Sequence, residues 1–373
     1  MASNDDFWEA TSPAVSRRYI NCIRSRYGLL YSNIVPIVNT RMRTFPCTCG
    51  NTLFFDSQQC VVCHLPTGLC ATCERVAPLL TDEEKPPACG NPSCGVTVRQ
   101  CASQFGCNRL INVEEEESSN PLCDYCQLTT VTPDLSVEGN LEKWRKLELA
   151  KRRVLYILDQ SGFPFQTPDD SVGPQLSFEF KADGKEPVMT GHAHGVITIN
   201  IKEADSVERE RSRINFSEPH RTLVGHFRHE LGHYFWDRLV ENKAEEPFRD
   251  LFGDERNPTY KEAMDTYYAN GPKPDWASAY VSAYASMHPW EDFAETFNVY
   301  LDMLSVLATA DNFEVVHNDL TDFDRMFRHY LHVGLMANEF NRDMGLLDLV
   351  PEVFVPPVKE KLRFIHALRT PDE

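Results

Sequence analysis

The sequence predicts an α+β unit preceded by a small metal-stapled module. Twelve of the thirteen cysteines crowd between Cys47 and Cys126, while downstream two alternating apolar stretches give way to strongly helical segments that run to the C-terminus. At 373 residues the chain has room for one substantial core beside the cysteine module. The balance of 37 basic against 55 acidic residues, net −18, argues against nucleic acid as the main partner of that module. No apolar stretch approaches the length of a transmembrane helix, so no membrane partner is expected.

Residues 1–44 read as a weakly patterned leader, helical from Val15 to about Leu30, whose arginines (Arg17, Arg18, Arg24, Arg26, Arg41, Arg43) suit a solvated face. The cysteine-rich module covers residues 45–130. Its knuckles are Cys47-x-Cys49, Cys60-x-x-Cys63, Cys70-x-x-Cys73, Cys89-x4-Cys94, Cys101-x5-Cys107 and Cys123-x-x-Cys126. A tight turn can aim such neighbouring thiolates at one tetrahedral ion, and Gly50, Gly68, Gly90, Gly95 and Gly106 fall where those turns are expected. Twelve thiolates make three four-cysteine zinc sites. A disulfide framework is the rival reading; it needs an oxidising compartment, yet the N-terminus MASNDDFWEATSPAVSRR has no apolar signal region, which favours zinc and a cytoplasmic location. Cys60-Val61-Val62-Cys63-His64 also matches the haem-attachment pattern CxxCH, but that chemistry normally requires export, and the neighbouring cysteines already supply metal partners. Cys22 stands apart as a buried thiol.

Glu114 to Ser119 reads as a loop inside the module and Pro133 to Gly139 as a linker to the catalytic unit, residues 138–373. A helix from Leu141 is signalled by Trp144, Leu147, Ala150, Val154 and Leu158, and stops at Gly162 with Pro164 beyond. Leu176, Phe178 and Phe180 alternate with polar residues, as do Ile197, Ile199 and Ile201; both are strands with one buried face. Leu223, Phe227, Leu231 and Phe235 recur every four positions and mark a core helix. His288 to Glu295 opens a second helix, with Pro289 in its first turn and Phe293, Phe297, Tyr300, Leu301 and Leu304 as its apolar stripe.

The first of these helices carries His229-Glu230-Leu231-Gly232-His233. Residues four apart on a helix share a face, so both imidazoles reach one zinc ion, and Glu230 lies beside the open coordination position as the base that moves a proton from water to the leaving amine. A chance match on a packing helix is the bland alternative. A catalytic zinc needs a third protein ligand, and Glu291 is assigned that place, with Glu295 on the same face orienting a ligand histidine. Acids at a helix start also complement the helix dipole, which is the competing account of that pair. His192, His194, His226 and His288 are read as structural donors rather than ligands.

Beyond these motifs, the runs Thr190 to Asn200, Glu203 to Asp205, Arg209 to Arg211, Glu218 to Arg228, Phe252 to Glu255, Val281 to Ala285 and Asn338 to Gly345 resemble the zinc-binding metallopeptidases that carry an N-terminal zinc ribbon. The similarity runs from about Phe45 to the C-terminus. The catalytic helices are more distantly similar to gluzincin peptidases related to anthrax lethal factor and the Pro-Pro endopeptidases. Those enzymes combine HExxH with a glutamate in an ExxAE segment and a tyrosine seven residues before it, which here is Tyr284, with Tyr280 one turn earlier as competitor. The resemblance implies that Tyr284 donates to the oxyanion, a role suited to a neutral phenol.

The resemblance and sequence proximity also favour one zinc on Cys47, Cys49, Cys60 and Cys63 and another on Cys101, Cys107, Cys123 and Cys126, leaving Cys70, Cys73, Cys89 and Cys94 for a third; a cross-braced pairing stays open. A gluzincin-like fold is implied, with one catalytic and two or three structural zinc ions. The substrate is a peptide or protein, presented or recognised by the ribbon, and pairs with a sheet edge for which Gly195 to Ile201 is the candidate. The expected activity is a zinc-dependent peptidase, an endopeptidase or an aminopeptidase. The alternative is a non-catalytic zinc scaffold that binds a partner, against which Glu230 argues, since a structural site needs no base.

Overall fold

Knuckles spaced every ten residues or so leave room only for short strands, and the N-terminal module is built from them. The computed structural model describes residues 44–82, 85–113, 121–163, 165, 174–205, 222–317, 319–351 and 354–369. The expected leader helix, the Glu114 to Ser119 loop and Cys22 lie outside these. Strands β1 (Thr44–Pro46) and β2 (Thr52–Phe54) pair antiparallel. The strands β3 (Thr67–Cys70), β4 (Val76–Asp82), β5 (Lys85–Cys89), β6 (Val98–Gln100) and β7 (Arg109–Asn112) form a five-stranded sheet in the order β5-β4-β3-β7-β6, antiparallel except between β3 and β7. Gly50, Gly95 and Gly106 sit in turns at positive φ. Gly68 and Gly90 do not: a side chain at Gly68 would meet Leu110 at 2.6 Å and one at Gly90 the Pro78 carbonyl at 2.6 Å, so these two permit close approach of neighbouring chain.

A single helical turn, α1 (Asp124–Gln127), carries the last knuckle and leads into β8 (Thr129–Val131). Although β8 closes the cysteine-rich stretch in sequence, it joins a second sheet with β9 (Ser177–Lys181), β10 (Gly191–Ala193) and β11 (Val196–Asn200), in the order β10-β11-β9-β8. Here the expectation of a free edge at Gly195 to Ile201 is corrected. His194 and Gly195 both adopt positive φ, 49° and 83°, and this two-residue turn folds Gly191–Ala193 back onto the strand, so β11 lies between β10 and β9, and among the described residues the sheet ends at β10 on one side and β8 on the other. Ile201 already belongs to the 3₁₀ turn Ile201–Ala204 that follows.

Helix α2 (Asn140–Asp159) joins the two halves. Trp144, Leu147, Val154 and Leu158 are buried as the periodicity predicts, but so are Glu148, Lys151 and Arg152. Buried charges must be paired, and these are. Lys151 Nζ lies 2.8 Å from Glu148 and donates to Thr129 at 2.5 Å. Arg152 donates to the Asn108 carbonyl oxygen, whose amide in turn donates to the backbone carbonyls of Phe55 (2.8 Å) and Ser57 (2.9 Å) in the module. One apolar core therefore runs from Phe45 to Ile365; Cys70, Ala77, Leu79, Cys89, Val98 and Leu110 form a small separate one.

The remaining helices are α3 (Leu223–Leu239), α4 (Glu245–Phe252), α5 (Tyr260–Asn270), α6 (Pro289–Asn312), α7 (Phe323–Asp343) and α8 (Pro356–Ala367). Thr222 caps α3, accepting from Gly225 N at 2.9 Å, and His288 caps α6 ahead of Pro289. The two pack closely because position 232 is glycine: a side chain there would meet the Ala294 Cα at 2.6 Å. Helices α7 and α8 clamp α6 through polar groups. Asp302 accepts from Arg228 and Tyr330, both at 2.9 Å, and buried Lys361 donates to Asp292 at 2.6 Å and to the Ala279 carbonyl at 2.8 Å. Asn338 hydrogen-bonds the backbone of Leu349 and Val350 on both sides of its amide. Among the described residues no helix is long and apolar enough to cross a membrane.

Candidate metal centre

Helix α3 stacks His229 and His233 one turn apart, with their Nε2 atoms 3.2 Å from each other. Helix α6, brought alongside by Gly232, delivers Glu291, whose Oε2 lies 3.1 Å from His229 Nε2 and Oε1 3.5 Å from His233 Nε2. Ligand atoms bound at 2.0–2.1 Å around a tetrahedral zinc stand roughly 3.3–3.4 Å apart, so the three donors fit one such ion and their nitrogen and oxygen chemistry suits it.

The surroundings hold these donors in place. Glu295 Oε1 meets His229 Nδ1 at 2.7 Å while its Oε2 accepts from Ser282 at 2.7 Å, so the ring is oriented with Nε2 toward the centre. The Trp290 ring lies 3.9 Å from that of His233, tilted by 40°. Burial, the largest influence on Glu291, acts to raise its pKa, yet the charges and hydrogen bonds of His233 and His229 hold it well below the ordinary carboxylate range. Burial likewise pushes His229 down, but Glu291 and Glu295 outweigh it and raise that imidazole well above its usual value. The pocket is thus built to retain positive charge.

Glu230 is only 8 % exposed, and its Oε2 has no hydrogen-bond partner among the described residues. Tyr284 lies with its ring 6.0 Å from that of His229, whereas Tyr280 is engaged elsewhere, accepting from Lys273 at 2.5 Å with Lys361 over its face. Burial first, then the charge of Glu291, pushes the Tyr284 phenol far above its usual range, which keeps it a donor. The other histidines have separate duties: His226 Nδ1 lies 3.2 Å from Glu203, His288 caps α6, and His192 Nε2 accepts from Gly195 N at 3.0 Å.

The cysteines converge in consecutive groups: Cys47, Cys49, Cys60 and Cys63; Cys70, Cys73, Cys89 and Cys94; Cys101, Cys107, Cys123 and Cys126. This is the sequential rather than the cross-braced pairing. Cys47 and Cys63 stand 3.6 Å apart, as do Cys49 and Cys60; Cys70 and Cys94 are at 3.9 Å, and Cys107 and Cys123 at 3.8 Å. A sulfur–sulfur edge of roughly 3.8 Å is what zinc bonds of 2.3 Å produce in a tetrahedron, and a disulfide at about 2.05 Å is far shorter.

Comparison with known sequences agrees with this geometry. The family described as "Putative zinc-binding metallo-peptidase" matches residues 140–368, and a "zinc-ribbon domain" matches residues 44–137. The chain belongs to this metallopeptidase family. Uncharacterized proteins of Mycobacterium bovis and of two Mycobacterium tuberculosis strains are each 34% identical to it over 341 residues, covering 88% of this chain and 95% of theirs. No solved structure matches significantly.

Within this member of the metallopeptidase family, two neighbours of the centre escape a reading by spacing. Tyr260 Oη donates to Glu291 Oε1 at 2.9 Å, from a helix 31 residues upstream. Thr259 and Glu262 form a capping box that marks the start of α5 in sequence, but nothing local ties that helix to the glutamate. Ser282, which fixes Glu295, sits in a stretch between short 3₁₀ turns with no periodic pattern.

Proposed function

We propose that the protein is a cytoplasmic zinc endopeptidase of gluzincin type. The observation that carries this is the buried Glu230 carboxylate with an unpaired oxygen beside the His229, His233 and Glu291 donors, an acid that a purely structural zinc site has no use for. His229, His233 and Glu291 would hold the ion, which would supply Lewis acidity toward water and the scissile carbonyl. Glu230 accepts the proton of the attacking water and passes it to the leaving amine. Tyr284, kept neutral by burial, donates to the developing oxyanion. Glu295, tied to Ser282, keeps His229 aimed at the metal throughout. An extended peptide adds to the edge strand β10, whose His192 packs against Tyr234 of α3 and lies 3.9 Å from Asp237.

The three cysteine clusters hold structural zinc, in a compartment where thiols stay reduced. Substitution Glu230→Gln tests the reading. Zinc content should be unchanged while hydrolysis of a peptide library falls by about 10²–10⁴-fold. Turnover at the wild-type rate in that variant contradicts the assigned mechanism.

A further inference from the structure

The two oxygens of Glu291 are treated differently by the fold. Oε1 accepts the hydrogen bond from Tyr260 at 2.9 Å and lies 3.5 Å from His233 Nε2, whereas Oε2 is buried and lies 3.1 Å from His229 Nε2. We propose that Tyr260 is a positioning residue for the metal: by occupying Oε1 it confines Glu291 to ligation through Oε2 alone, leaving one coordination position for water. This rests on the reading of His229, His233 and Glu291 as a zinc site.

Two demands compete for the lone pairs of Glu291. Zinc with two imidazoles and a carboxylate bound through both oxygens already has four protein ligand atoms, so water can enter only as a fifth. A donor on one oxygen opposes that, since hydrogen bonds to a charged acceptor are among the stronger ones. The phenol is well placed to keep this bond. Its ring is wedged edge-on between His288 (centroids 5.3 Å) and Trp290 (5.7 Å), the cap of α6 and the residue before Glu291. The capping box of Thr259 and Glu262 anchors its own helix one residue away. Tyr260 and Glu291 are therefore held by groups that fix their relative position rather than by chance side-chain contact.

The test uses the full-length protein. A mild chelator withdraws the ion from the open site while the cysteine ions stay, and Co²⁺ is then titrated in and followed by its d–d absorption. Wild type should show the stronger band of four-coordinate cobalt. Tyr260→Phe should show the weaker absorption of higher coordination, because Oε1 is then free to join Oε2 on the ion. An unchanged spectrum in Tyr260→Phe overturns the proposal. If that variant does not fold, Tyr260→Leu gives the same reading; if neither folds, the hydroxyl serves the fold and the proposal falls. Cobalt binding equally tight in His229→Ala and wild type means instead that the site itself has been misread.

Discussion

The three four-cysteine clusters each offer four ligand atoms from the chain alone, whereas His229, His233 and Glu291 offer three. The difference extends to what surrounds them. Cysteine sites close short stretches of chain, so the metal organises the protein. The histidine site is organised by the protein: Gly232 lets two helices meet, Glu295 and Ser282 aim one ring, Tyr260 takes one carboxylate oxygen, and Lys361 pins the neighbouring Asp292. Metal loss should therefore unfold the first kind of site and merely empty the second.

The comparison also divides the cysteine clusters. Cys123 is buried in the core shared with α2 and the catalytic helices, while Cys94 flanks the small separate core. Cys123→Ser should abolish the main cooperative thermal transition seen by circular dichroism, because structural zinc contributes about 10–16 kcal/mol to folding in isolated fingers. Cys94→Ser should lose one ion and keep that transition. If Cys94→Ser melts the whole chain, the two cores are not independent.

Next in size is Lys361→Met, which leaves Asp292 buried without its cation and should lower stability to urea by about 3–5 kcal/mol. It should weaken metal binding at the histidine site and leave the cysteine ions in place, since α8 braces α6 and not the module. Loss of cysteine-bound zinc in this variant would erase the distinction between the two kinds of site.

The smallest effect lies in pH. Burial drives the His366 pKa from 6.5 down to about 3, and its Nδ1 pairs with the Tyr300 hydroxyl of α6 at 2.8 Å. The unfolded chain takes up a proton below 6.5 that the folded chain refuses until about 3, so His366 makes stability fall with pH across that window, at up to about 1.4 kcal/mol per unit. In His366→Gln the urea midpoint should decline less steeply between pH 6 and pH 4 than in wild type. An identical slope would mean that His366 is not held neutral.

The metal donors are legible in sequence because their geometry is local. The HELGH spacing lies within two helical turns, Glu291 and Glu295 share one face of one helix, and each knuckle spans a few residues. What stays hidden is set by tertiary packing. The sheet edge at β10 is missed because that strand is three residues long with no apolar alternation, and only the His194-Gly195 turn betrays it. Tyr260 reaches Glu291 across 31 residues, and Lys361 reaches Asp292 across 69, distances at which spacing carries no signal. The buried charges of α2 look like solvated polar positions in sequence until the module is seen to cover Arg152, and the second sheet Glu148 and Lys151.

Zinc per chain, measured by elemental analysis on wild type and on His229→Ala/His233→Ala with circular dichroism on both, separates one open site from the three closed ones beside it. One ion for each donor group gives about four in wild type, falling to about three in the double variant with the fold intact. An unchanged zinc count in the double variant would contradict the open site, because the HELGH helix would then hold no metal.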